Sequence, residues 1–150
     1  MMLHHVIRAA FGGRLSGAKQ FQRRLQFERL EARHVMSASL LITEFMAANS
    51  GGLSDGDGDS SDWIELFNTS SAAVDLGDYF LTDSSDDLTK WSFPSGTSIC
   101  PGATLLVFAS DKDSSGPIGE LHTNFKLSAS GEYLALVEPD GSTIVHAYAP

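Results

Sequence analysis

From Ser39 onward, short runs of period-two or continuous apolar character recur roughly every 8 to 15 residues. They are LLITEFM, DWIELFN, YFLTD, KWSFP, TLLVFAS, NFKLS, EYLALVEP and TIVHAY. Between them stand NTSS, DSSDD, PSGTSICPG, SDKDSSGPIG, SASG and PDGS, each rich in the residues that reverse a backbone tightly. Many short strands with no helical period between them predict an all-β domain closed as a sandwich or barrel.

The alternation also assigns faces. In DWIELFN, Ile64 and Leu66 fall on one side and Trp63, Glu65 and Phe67 on the other, so the first pair is expected in the core and Trp63 and Phe67 under a loop. TLLVFAS is apolar almost throughout, which predicts a central strand covered on both faces. PDGS ahead of TIVHAY predicts a hairpin closed by a two-residue Asp-Gly turn. Trp63 and Trp91 are both expected to be core aromatics.

Charge divides the chain. Residues 1–36 hold seven Lys/Arg against two Glu, a net +5, while residues 37–150 hold three Lys against seventeen Asp/Glu, a net −14. Such an acidic domain lacks the basic stripe that neutralises phosphates, so no nucleic-acid partner is expected. No apolar stretch approaches the ~18 residues that span a bilayer as a helix, so no membrane insertion is expected. The single Cys100 cannot form an internal disulfide; at the end of SIC, before a Pro-Gly turn, it is expected to be a small buried hydrophobe.

Residues 1–38 read as a basic leader outside the folded domain, which then spans 39–150. A helix is plausible by propensity over Lys19 to Arg33, but the apolar positions there make no single face; a disordered basic tail is the alternative. FERLEARHVMSA resembles, through Leu30, Glu31 and Arg33, the basic L-E-x-R leader of large exported bacterial proteins, which implies export and a secreted or cell-surface location.

The order of LLITEFMA, DWIELFN, VDLGDYFLTD, KWSFPSGTSICPGATLLVFAS and LHTNFKLSASGEYLALVEPDGS resembles the lamin-tail domain over about residues 40–145. The resemblance implies an immunoglobulin-like β-sandwich. Bacterial members usually run on past the last matched strand, so the resemblance also implies either a shortened C-terminal edge strand or a longer parent protein. It further implies a non-catalytic interaction or adhesion module with a protein or cell-surface ligand, or an accessory domain of a downstream hydrolase or nuclease.

Candidate chemistry is concentrated in DGDGDSSD. Asp55, Asp57 and Asp59 copy the first three ligand positions of an EF-hand, but Ser60 stands where its glycine belongs and Leu66 where its bidentate Glu belongs. A looser calcium site, completed by Asp62 or backbone carbonyls, is the metal alternative; an open acidic turn is the other, since carboxylates about 6 Å apart in water repel by only ~0.7 kcal/mol. Calcium is the one cofactor the pattern allows. Asp83, Asp86 and Asp87, and Asp111 and Asp113, form two further acidic loops that a sandwich can bring towards the first. The five His have no metal-ligand spacing, and His122 is expected to position a strand and loop. No nucleophile or phosphate-binding motif is present, and Glu65 is expected to pair across strands, for instance with Lys90, rather than with Glu44 in catalysis. No catalytic residue is assigned.

Overall fold

Leu40, Ile42, Ile64 and Leu66 have almost no exposed surface, and the two strands that carry them pair with each other. The computed structural model describes residues 39–115, 119–131 and 133–149, so the expectations for residues 1–38 lie outside the described residues. β1 (Leu40–Met46) runs antiparallel to β2 (Asp62–Asn68), both bounded as the apolar runs predict. β2 pairs in turn with β7 (Thr104–Ala109). Beyond β7 lie β9 (Leu121–His122), in the parallel sense, and β8 (Ser114–Ser115), giving a five-stranded sheet β1-β2-β7-β9-β8.

A second, antiparallel sheet is ordered β11-β10-β4-β5, from β11 (Ile144–Tyr148), β10 (Leu134–Val137), β4 (Phe80–Thr82) and β5 (Trp91–Ser92). β3 (Val74–Asp75) and β6 (Ser98–Ile99) form a small third pair. The core draws Ile42, Ile64, Leu66 and Val107 from the first sheet and Leu81, Trp91, Leu134 and Leu136 from the second, with Ile99 from β6 and Leu76, Phe93 and Phe125 from the connections. Each fully buried Leu or Ile contributes roughly 1.5–3 kcal/mol, so this packing rather than any covalent staple holds the layers together. The described residues contain no helix, and the architecture is an immunoglobulin-like β-sandwich.

Thr43 is an extra residue in β1. Ile42 faces Leu66 and Glu44 faces Glu65, so the bulge shifts the face that the rest of the strand presents. Leu40 and Ile42 point inward before it; beyond it Glu44 and Met46 lie with Glu65 and Trp63 on the outer side. At the open edge of β1, the Ile42 N–H donates to His146 Nδ1 at 3.2 Å, and Tyr148 Oη donates to the Ile42 carbonyl at 3.1 Å. Two side chains of β11 thus close the seam between the sheets, where a backbone partner is missing.

Several expectations need correction. β7 is covered on both faces only in its second half: Val107, Phe108 and Ala109 are buried, but Leu105, on the core side, and Leu106, on the outer face, are half-exposed. Among the described strands longer than two residues, the one buried at every position is β10. NFKLS forms no strand; its backbone makes an isolated Ser110–Lys126 bridge, and the strand lies earlier, at Leu121–His122. The PDGS turn is wider than two residues, because Glu138 N–H donates to Thr143 O and Gly141 N–H to Glu138 O, leaving four residues in the loop. Asp140 explains the extra width: it accepts the N–H groups of Ser142 and Thr143 and the Thr143 hydroxyl. Gly141, at φ 69°, is left-handed there, and a Cβ would stand 3.0 Å from Thr89 Cγ2. Cys100 is exposed, since alternation sends Ile99 into the core and turns the next residue out. Trp91 is buried as expected, but Trp63 is half-exposed on the outer sheet face.

Candidate functional site

The loop from Asp55 to Ser61 folds around one buried carboxylate. Asp55 Oδ1 accepts the N–H groups of Asp57 and Asp59 at 3.1 and 3.0 Å, while Oδ2 accepts the Ser61 hydroxyl at 2.9 Å. The Asp55 N–H donates to Asp59 O and the Gly58 N–H to Asp55 O, so backbone and side chain close the same turn. Gly58, at φ 88°, supplies the left-handed residue this turn requires.

Asp55, Asp57 and Asp59 do come together, each offering an oxygen within 4.8 Å of the others. Their centre is taken by Lys112. Its Nζ lies 2.7 Å from Asp55 Oδ2, 2.7 Å from Asp57 Oδ2 and 3.0 Å from Asp59 Oδ2. Burial pushes the Asp55 carboxyl up, but the Lys112 ammonium, the Asp59 N–H and the Ser61 hydroxyl outweigh it and hold the group down at about 2. The same carboxylates, Asp55 first, raise Lys112 above the usual lysine range.

Local backbone geometry aims that lysine. Asp111 and Asp113 both adopt left-handed conformations, φ 64° and 46°, which Asp tolerates better than most residues. Their N–H groups donate to Phe125 O and Thr123 O, pinning the connection on either side of Lys112. The acidic loops 55–61 and 110–114 therefore meet, as a sandwich allows, but through a lysine rather than through shared carboxylates. The third acidic loop is separate, with Asp83 paired to Lys90 at 2.5 Å. That pairing also takes Lys90 away from Glu65, whose Oε1 instead accepts the Thr43 hydroxyl at 2.6 Å.

Asp62 does not join the triad. Its Oδ1 accepts the Asn49 N–H at 3.0 Å and its Oδ2 the Leu127 N–H at 3.1 Å, so both oxygens tie loops to the start of β2. Asn49 extends the bracing: its amide donates to Leu53 O and Ser61 O and accepts from the Gly52 N–H. Beside the triad lies a polar cleft of about 530 Å³ lined by Ser60, Ser61, Ser110 and Lys126 together with Asp59, Asp62, Ala109 and Lys112.

His122 is wholly buried, stacked on Phe108 at 5.3 Å, with Nδ1 2.9 Å from Ser110 Oγ. Its Nε2 stands 3.8 Å from Glu120 Oε2, beyond hydrogen-bond range, and that carboxylate oxygen accepts the Gly56 N–H at 2.7 Å. His122 thus ties β9 to the end of β7, and Glu120 ties the same strand to the acidic loop. Lys112, Glu120, Ser110 and Asn49 escape a reading of the sequence; the only cue is that Lys112 is one of three lysines in an acidic domain.

Glu44 and Glu65, the carboxylates considered as an acid pair, face each other on neighbouring strands of an open sheet face rather than across a cleft.

No curated protein matches the chain. The family model described as Lamin Tail Domain matches residues 36–149, spanning the described sandwich from β1 to β11. With the strand order and core already described, that match makes this chain a member of the Lamin Tail Domain family.

Proposed function

We propose that the chain is a non-catalytic interaction or adhesion module of lamin-tail type, displayed outside a bacterial cell as the N-terminal part of a larger exported protein. The observation that carries this is the use made of its ionisable side chains. Asp55 and Lys112 neutralise each other, both oxygens of Asp62 hold backbone N–H groups, and His122 is enclosed between Phe108 and Ser110. Groups spent on fixing loops brace a rigid scaffold, which is what surface recognition by loops and sheet faces requires. The L-E-x-R-like leader at Leu30, Glu31 and Arg33 supports the extracellular placement, and attachment to a downstream hydrolase or nuclease is the alternative use of the same module.

The test has two arms. Cells that make the protein are fractionated and treated externally with protease, and the purified full chain is assayed on ester, glycoside and phosphodiester substrates. Surface exposure with no turnover is the expected result. Turnover that disappears in His122→Gln, or retention inside the cell, overturns the reading.

A further inference from the structure

On the outer face of the five-stranded sheet, Leu41 lies beside Phe67, Glu44 beside Glu65, Glu65 in turn beside Leu106, and Met46 beside Trp63. Leu41, Trp63, Phe67 and Leu106 are half-exposed, and Met46 is 39% exposed. Two glutamates thus face each other directly in the middle of an apolar surface. Like charges opposite one another destabilise a strand pair. Glu65 takes one hydroxyl from Thr43, yet among the described residues no cation forms an ion pair with either carboxylate.

The domain has little means of supplying one. Of its three lysines, Lys90 is held by Asp83 and Lys112 by the Asp55 triad, while the Lys126 backbone is bridged to Ser110 at the other end of β7. A cation arriving from outside removes the repulsion, and apolar side chains arriving with it cover Leu41 and Phe67 on one side and Met46 and Trp63 on the other. A neutral partner would bury two unpaired carboxylates, which is costly. A second copy stacked on the same face would bring two more glutamates to the first two. The domain's net charge of −14 steers cationic partners towards it over longer range.

We propose that this face is the docking surface for a basic polypeptide segment in which Arg or Lys is flanked by apolar side chains. This rests on the interaction-module function proposed above and names its surface and the chemistry of its partner.

The probe is a synthetic peptide carrying an Arg pair flanked by leucines, compared with the same peptide carrying Glu in place of Arg. Binding to the full chain is followed by amide shift mapping and titration. The arginine peptide is expected to shift Leu41, Glu65 and Trp63 amides. The double variant Glu44→Gln/Glu65→Gln is expected to weaken it about tenfold or more, because the loss is of a close charge contact. Asp86→Asn/Asp87→Asn, which removes the same charge elsewhere, is expected to leave affinity nearly unchanged. Equal weakening by both pairs, or shifts centred on another face, overturns the surface. Binding of the glutamate peptide, or self-association through Trp63, overturns the partner chemistry. Absence of any peptide binding overturns the inference while leaving the module reading to its own cell-surface and turnover tests. The Gln pair removes repulsion and is expected to melt no lower than the parent, so weaker binding cannot be ascribed to unfolding.

Discussion

Lys112 Nζ lies 2.7 Å from Asp55 Oδ2, a carboxylate whose side chain is wholly enclosed, and the two residues are 57 positions apart in sequence. The contact joins the acidic loop to the connection that follows β7, so the pair is a long-range clasp between two loops. Burial of Asp55 makes the clasp strongly asymmetric. Removing the cation leaves a buried negative charge with only hydroxyl and N–H donors, whereas removing the carboxylate leaves Lys112 with Asp57 and Asp59 still beside it.

Acid stability follows from the Asp55 clasp. Its carboxyl is held down from 3.8 to about 2 in the folded state, so the unfolded chain takes up the proton first. The stability it contributes is present above the unfolded value and is lost as pH falls from about 4 towards 2. Urea unfolding across that range is expected to show a steeper loss in the parent than in Asp55→Asn, which lacks the group. Parallel curves for the two proteins would remove Asp55 as the source.

Lys112 also sets the terms for calcium. The ion would have to displace an ammonium already in contact with all three carboxylates, and Asp62 is committed to Asn49 and Leu127. Lys112→Met empties the triad of its tethered cation. Relative to a calcium-free buffer, millimolar calcium is therefore expected to raise the melting temperature of Lys112→Met more than that of the parent. An equal rise in both proteins would mean that the triad is not where calcium acts.

The two tryptophans separate core from surface. Trp91 is 6% exposed and packs edge-to-face on Phe93 at 4.9 Å, so Trp91→Ala is expected to cost about 3–5 kcal/mol in denaturant unfolding. Trp63 lies half-exposed on the outer face, so Trp63→Ala is expected to cost far less. Equal losses would contradict the face assignment of β2.

What the sequence reveals depends on the length of each apolar run. β1 and β2 are legible as strands because each is a seven-residue apolar run, and in β2 the pair Ile64 and Leu66 also fixes the face, whereas the bulge at Thr43 changes the face of β1 part-way along. β3, β6, β8 and β9 are two residues each, too short for any period, and exist because neighbouring chain holds them in register. Continuous apolar character misleads in TLLVFAS, since Leu106 sits beside Glu65 on the outer face of the sheet, which is open there. It cannot distinguish an apolar residue buried under a loop from one left exposed for contact. The Asp55–Asp59 cluster is legible from its spacing. Its cation is not, because nothing local in SDKDSSG marks Lys112 as reaching back to that loop.

The seam between the sheets gives the last expectation. β1 is an edge strand, and Ile42 lies just before the bulge that interrupts its pairing with β2. His146 and Tyr148 satisfy its N–H and its carbonyl from β11, and Tyr148 also packs edge-to-face on Phe45 at 5.2 Å. Tyr148→Phe keeps the ring and removes only the hydroxyl, so the expected loss is that of one hydrogen bond, about 0.5–1.5 kcal/mol. His146→Ala removes the acceptor for the Ile42 N–H and exposes that amide to solvent. Hydrogen exchange at Ile42 is therefore expected to accelerate in His146→Ala much more than in Tyr148→Phe, while the Ile64 and Leu66 amides in the middle of the sheet stay protected in both. If Ile42 exchanged no faster than in the parent, the edge of β1 would be held by the β1–β2 ladder alone. The histidine would then be a passive neighbour rather than the group that closes the sandwich.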